Sequence, residues 1–121
     1  MQYGAILAQG KVFLDGNQEA AGLRQAEINA TASGDTTVVT GVSGRVIRVI
    51  GLVLVCAAAV SVAWKTGATT TRINPQAFAA NGGMAYNAFP GWFYETDSGD
   101  NAVINLSAAV NVRGSLYYVL V

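Results

Sequence analysis

Glu95, Asp97 and Asp100 fall in one short stretch beside Ser98 and Asn101. Oxygen ligands at alternate positions are what a calcium ion takes. The stretch Thr96-Asp97-Ser98-Gly99-Asp100-Asn101 falls short of a calcium-loop pattern and is a strong turn sequence, so its carboxylates are read as turn residues and no metal is assigned. Asn81-Gly82-Gly83 has the look of a phosphate cradle, but no Lys-Ser/Thr pair follows it. A loop whose backbone needs positive φ is the better reading. Trp92-Phe93-Tyr94 offers either a sugar-binding platform or one core aromatic flanked by surface ones. Core or intersubunit packing is the expectation. Arg48 and Arg113 sit inside apolar runs, where a guanidinium needs an acidic partner or carbonyls. Pairing within a trimer is expected of them, with receptor contact as the alternative. Cys56, the single cysteine, reads as a buried structural thiol. Histidine is absent, which removes the commonest general base and metal ligand. No serine, cysteine or carboxylate has a base partner in sequence, so no catalytic residue and no cofactor is assigned, and the chain is read as a non-enzyme.

The elements that would position these residues are strands. From Val110 to the C-terminus, Val110, Val112, Leu116, Tyr118 and Leu120 fall on one side of a two-residue repeat, and Asn111, Arg113, Ser115, Tyr117, Val119 and Val121 on the other. A helix would scatter the apolar set, whereas a strand collects it. So apolar a strand would be hazardous as a free edge, and it is expected inside a sheet. Upstream, Ala26, Ile28 and Ala30 alternate, Thr36 to Thr40 is β-branched, and Thr69 to Ile73 and Ala102 to Leu106 read as strands. Asn74-Pro75 opens a loop that continues through Gly83. About eight short strands between Gly, Asn, Asp and Pro turns predict an all-β antiparallel sandwich or barrel over residues 25–121. Ile47, Val49, Val53, Val62, Trp64, Ile104, Leu106, Leu116, Tyr118 and Leu120 are expected in its core.

Apolar residues make up 52% of the 121 and charged residues only 12%. Soluble domains carry about 25% charge, so much of this surface is expected to be hidden in an assembly or a membrane. Seven basic residues balance seven acidic ones, which leaves no footprint for nucleic acid. The run from Val49 to Trp64 would span roughly 24 Å as a helix, short of the ~30 Å hydrocarbon core. Its Val and Ile content favours two buried strands joined at Ala57-Ala58-Ala59, and a membrane anchor over residues 49–64 is the lesser alternative. Residues 1–24 are Gly-, Gln- and Ala-rich, with anchors at Ile6, Leu7, Val12, Phe13, Leu14 and Leu23 and a turn at Asp15-Gly16-Asn17. They read as an N-terminal arm packing outside its own domain or, equally, as a first hairpin.

From Gly44 onward the order of motifs resembles the small trimeric jelly rolls of tailed bacteriophages, which share the tumour-necrosis-factor-like topology. Carrying the resemblance are Gly44-Arg45, Trp64-Lys65-Thr66-Gly67, Phe78-Ala79-Ala80-Asn81-Gly82-Gly83, Pro90-Gly91-Trp92-Phe93, Asp97-Ser98-Gly99-Asp100, Leu106-Ser107, and Gly114 before Tyr117-Tyr118. It implies a jelly-roll β-sandwich that trimerises through one sheet face. Arg113, Tyr117, Val119 and Val121 form a stripe that a small sandwich cannot easily bury and a threefold axis would hide. The role implied is a capsid cement or decoration protein on the outer virion surface, with the chain itself and the major capsid protein as partners and neither membrane nor nucleic acid. The six anchors of the arm would then contact the capsid. A receptor-binding knob of a fibre or needle is the alternative. A knob is expected to follow a long trimeric shaft, and a sequence opening at Met1 without one is expected to be cement.

Overall fold

The apolar run at the centre of the chain breaks where its small residues predict. In the computed structural model, which describes residues 13–14 and 20–121, with side chains from residue 22 onward, the run splits at Ala57-Ala58-Ala59 into two strands of opposite sheets. The strands are β1 (Phe13–Leu14), β2 (Ala20–Ala21), β3 (Arg24–Ala30), β4 (Gly34–Val39), β5 (Ile47–Cys56) and β6 (Val60–Thr66). They continue with β7 (Thr70–Phe78), β8 (Gly83–Asn87), β9 (Tyr94–Glu95), β10 (Ala102–Leu106) and β11 (Val112–Leu120). No helix among the described residues is long and apolar enough to cross a membrane, and the helical anchor over residues 49–64 is replaced by β5 and β6.

One sheet has the order β4-β10-β6-β7, and the other the order β3-β11-β5-β8, with β9 also pairing β5. Every pair is antiparallel. With the short β9 set aside, the chain changes sheet at each connection from β3 to β11 except at the β6–β7 hairpin. That alternation is the double Greek key of a jelly roll. The terminal strand β11 lies between β3 and β5, so both of its edges are paired, as its apolarity requires. Separately, β1 and β2 pair Phe13 with Ala21 and Leu14 with Ala20. Ile6, Leu7, Val12 and the Asp15-Gly16-Asn17 turn lie outside the described residues, and Leu23 is 43% exposed.

Inward residues of both sheets meet in one core: Ile28, Val39, Ile47, Val49, Val60, Val62, Trp64, Ile104, Leu106, Val112 and Leu116 are all buried. Tyr118 and Leu120 are partly buried against it. Val53, expected among them, is instead 42% exposed. The cause is a bulge in β5. Tyr117 pairs with Gly51 and Tyr118 with Val49, which leaves Ile50 as the extra residue. A bulge resets a period-2 alternation. Inward positions therefore run Ile47, Val49, then Leu52, Leu54 and Cys56, and Val53 and Val55 turn outward.

Two further expectations are corrected on the sheet edges. β7 runs through Pro75, where the sequence predicts the opening of a loop. Proline is tolerated there because β7 is an edge strand, and its register against β6 shifts on both sides of Trp64. Gly83 begins strand β8 instead of ending a loop. The positive φ expected of the Asn81-Gly82-Gly83 loop is found at Asn81, at 61°. Gly83 answers a different need: a Cβ there would lie 2.0 Å from the Leu54 carbonyl oxygen, so only glycine lets β8 approach β5.

Candidate interaction surface

The two outer faces of the sandwich differ in chemistry. On the four-stranded sheet, Asp35 of β4, Asn105 of β10 and Lys65 of β6 form a network. The Lys65 Nζ donates to Asp35 Oδ2 at 2.9 Å and to Oδ1 at 3.1 Å, and to the Ala68 carbonyl at 2.7 Å. The Asn105 Nδ2 donates to Asp35 Oδ1 at 2.6 Å. That amide, foremost, and Lys65 hold the Asp35 carboxyl below its usual range, against the opposing effect of desolvation. Val103 and Ala63, on the same face, are buried. This network closes the centre of the face.

The outer face of the five-stranded sheet is not closed in this way. Its register sets three rows. Asn29, Arg113, Val55 and Gly83 form the first, Glu27, Ser115, Val53 and Ala85 the second, and Gln25, Tyr117, Gly51 and Asn87 the third. Polar residues gather on β3, and small or apolar ones on β5 and β8. Val55 is 53% exposed and Tyr117 37%, and Ala85 and Gly83 are exposed. Apart from the Gln25 to Ser115 hydrogen bond at 3.1 Å, the described residues close no polar network across these rows. The outcome is a strip of exposed valine flanked by glycine and alanine, with Arg113 and Glu27 at its margin.

Beyond the third row the face ends in a corner. Arg48 and Glu95 pair across β5 and β9, and the Arg48 Nε donates to Glu95 Oε2 at 2.9 Å. The Arg48 guanidinium carbon lies 4.1 Å from the centre of the Trp92 ring. Arg48 thus finds its acid within its own chain. Of the Trp92-Phe93-Tyr94 run, Tyr94 is buried, Phe93 packs partly buried against Trp64, and Trp92 is 45% exposed. Burial pushes the Tyr94 phenol well above its ordinary value.

Of the stripe assigned to a subunit interface, Arg113 and Tyr117 are exposed on this face and Val121 is partly exposed. Val119 is only 2% exposed and lies with Ile50 and Val121 in a small second cluster of this same chain. Sequence reasoning missed Val53 and Val55 as surface residues, because the bulge that turns them outward has no signature in the local pattern.

The acidic stretch serves other ends. Glu95 pairs with Arg48, Asp97 with Arg72, and Asp100 accepts a hydrogen bond from Thr66 Oγ1 at 3.0 Å. The Asp97 amide donates to the same Thr66 hydroxyl at 2.8 Å, and the Asn101 side chain accepts from the Gly41 amide at 2.7 Å. The turn thereby ties the end of β6 to the loop after β4. Cys56 is buried, and desolvation raises its thiol pKa, so the thiolate is disfavoured. No family model, curated protein or solved structure matches this chain.

Proposed function

We propose that the chain is a structural protein of a tailed bacteriophage: a homotrimeric cement or decoration protein that sits on the outer capsid and clamps neighbouring coat subunits. The observation that carries this reading is the contrast between the two outer faces. One is closed by the Asp35–Lys65–Asn105 network, and the other presents Val53, Val55 and Tyr117 to solvent. Exposed apolar strips of this kind mark protein contacts. Three copies meeting through this face would bury Val53, Val55 and Tyr117, with Arg113 and Glu27 placed to pair across subunits. A ligand that binds only the assembled shell stabilises it by mass action, and three attachment points on one trimer sum weak contacts into tight ones.

A receptor-binding knob is the second reading, favoured by the exposed Trp92 stacked on Arg48. Electron cryomicroscopy of particles that carry the protein separates the two. Trimeric density over the outer shell, bridging coat subunits, is the expected result. Density confined to a tail tip would transfer the assignment to the knob, and absence from particles would overturn both.

A further inference from the structure

We infer that the corner formed by Arg48, Trp92 and Glu95 is a binding site for a neutral saccharide. This goes beyond the structural role proposed above and is read on the isolated protein, so either can fail without the other.

The loop that presents Trp92 is tied down at both ends. The Ala88 amide donates to the Ile50 carbonyl at 2.9 Å, and the Phe93 amide donates to the Val49 carbonyl at 2.6 Å. Within the loop, the Gly91 amide donates to the Ala88 carbonyl at 2.7 Å, and the Phe89 amide donates to Asn87 Oδ1 at 3.0 Å. The Phe93 ring is fixed against Tyr86, Trp64 and Tyr94. Trp92 is therefore held in place while nearly half of it stays in water. An indole ordered but not buried forgoes the stabilisation that burial would bring.

Beside the ring stand groups with hydrogen-bonding capacity left over. Arg48 uses its Nε on Glu95, and the described residues make no hydrogen bond to Nη1 or Nη2. Glu95 uses Oε2 and keeps Oε1. The site thus holds planar donors and a carboxylate acceptor next to an exposed aromatic face. Its net charge is zero.

That combination matches a sugar ring. A pyranose has an apolar C–H face that stacks on an indole and a rim of hydroxyls that each donate and accept. The Arg48 Nη groups would donate to hydroxyl oxygens while Glu95 Oε1 accepts from a hydroxyl hydrogen. Because Glu95 neutralises Arg48, a phosphate or a second carboxylate gains no net electrostatic attraction there. A wholly apolar ligand would strand the unused polar groups.

The experiment is titration of the full chain with maltotriose, cellotriose and triacetylchitotriose, followed by tryptophan emission and calorimetry. Trp64 is fully buried, so a quench at the solvent-exposed emission band reports Trp92. Saturable binding of at least one trisaccharide is expected, weakened at least about tenfold by Trp92→Ala and by Arg48→Lys. Arg48→Lys keeps the charge but loses the planar fork. Both variants should keep the parent's circular dichroism, since Trp92 lies outside the core with nearly half its surface in water and a lysine at position 48 can still face Glu95. Failure of all three sugars to bind up to about 10 mM would overturn the inference. So would binding that survives Trp92→Ala, or a Trp92 emission that shifts to the red on dilution, which would assign the corner to a contact between copies.

Discussion

Trp64 has the largest side chain among the fully buried residues, and it packs against the rings of Phe93 and Tyr94. Its indole Nε1 has no hydrogen-bond partner among the described residues, so burial of the ring outweighs a stranded donor worth about 1–3 kcal/mol. Trp64→Ala should cost about 3–5 kcal/mol in a denaturant titration. A loss below about 1 kcal/mol would mean that the two sheets do not meet around this ring. Asp35 makes the second test at this scale. Its carboxyl is held below the usual range in the folded state, so the folded chain binds fewer protons there than the unfolded one. The resulting stability is complete above the ordinary carboxylate value of about 3.9 and is lost as pH falls through the folded-state value. Asp35→Asn should therefore cost about 1 kcal/mol near neutrality, for a partly exposed pair, and markedly less near about pH 2. Equal losses at both pH values, in paired thermal melts, would show that the Asn105 and Lys65 contacts do not favour the ionised form. Much at this scale was legible beforehand: Trp64 inside, Cys56 inside, Arg48 in need of an acid. That the acid is Glu95 was not, because the pair depends on β9 lying in register against β5, a contact between segments far apart in the chain.

Elements were legible wherever alternation ran unbroken. β3, β6, β10 and β11 show period-2 patterns that neither a bulge nor a proline interrupts locally, and their inward residues are those the pattern names. β5 departs at one residue. Ile50 bulges, and every outward residue beyond it changes sides relative to a simple count. β7 and β8 were obscured for the reason that they are edges, where Pro75 and Gly83 are tolerated and little burial enforces a pattern. The crowding around β5 offers a direct test of the register. At Gly114 of β11, a Cβ would lie 1.8 Å from the Val53 carbonyl oxygen and 2.8 Å from the Leu54 Cα. Backbone atoms of a central strand cannot swing aside as a flexible side-chain tip can. Gly114→Ala should therefore destabilise by more than about 2 kcal/mol, where an alanine at an unstrained strand position would gain up to about 1 kcal/mol over glycine. Retention of parental stability, measured by urea unfolding, would mean that β11 and β5 are not paired as described.

Taken as a whole, the molecule is lopsided. Its charge is sparse, and the clearest use of that charge on a sheet face is to close one outer surface, while the opposite surface keeps apolar side chains in water. Nothing inside one sandwich requires Val53 and Val55 to be valine, since neither reaches the core. Their replacement by lysine should cost the isolated domain little, within about 0.5 kcal/mol each for exposed positions away from special features. The same change in a trimer would place charges of one sign around a shared axis and strip them of water, a cost of several kcal/mol per ion. Light scattering in plain buffer should accordingly give about three times the 12.5 kDa chain mass for the parent and a single chain mass for the Val53→Lys, Val55→Lys double variant, with circular dichroism unchanged. A parent that is monomeric at micromolar concentration would remove the trimer. A double variant that stays trimeric would move the contact off this face, and the buried Val119 could not replace it, because it already packs with Ile50 and Val121. The interface would then have to be sought along the exposed edge strands, where unpaired backbone groups offer the remaining means by which so uncharged a chain can hold its own copies.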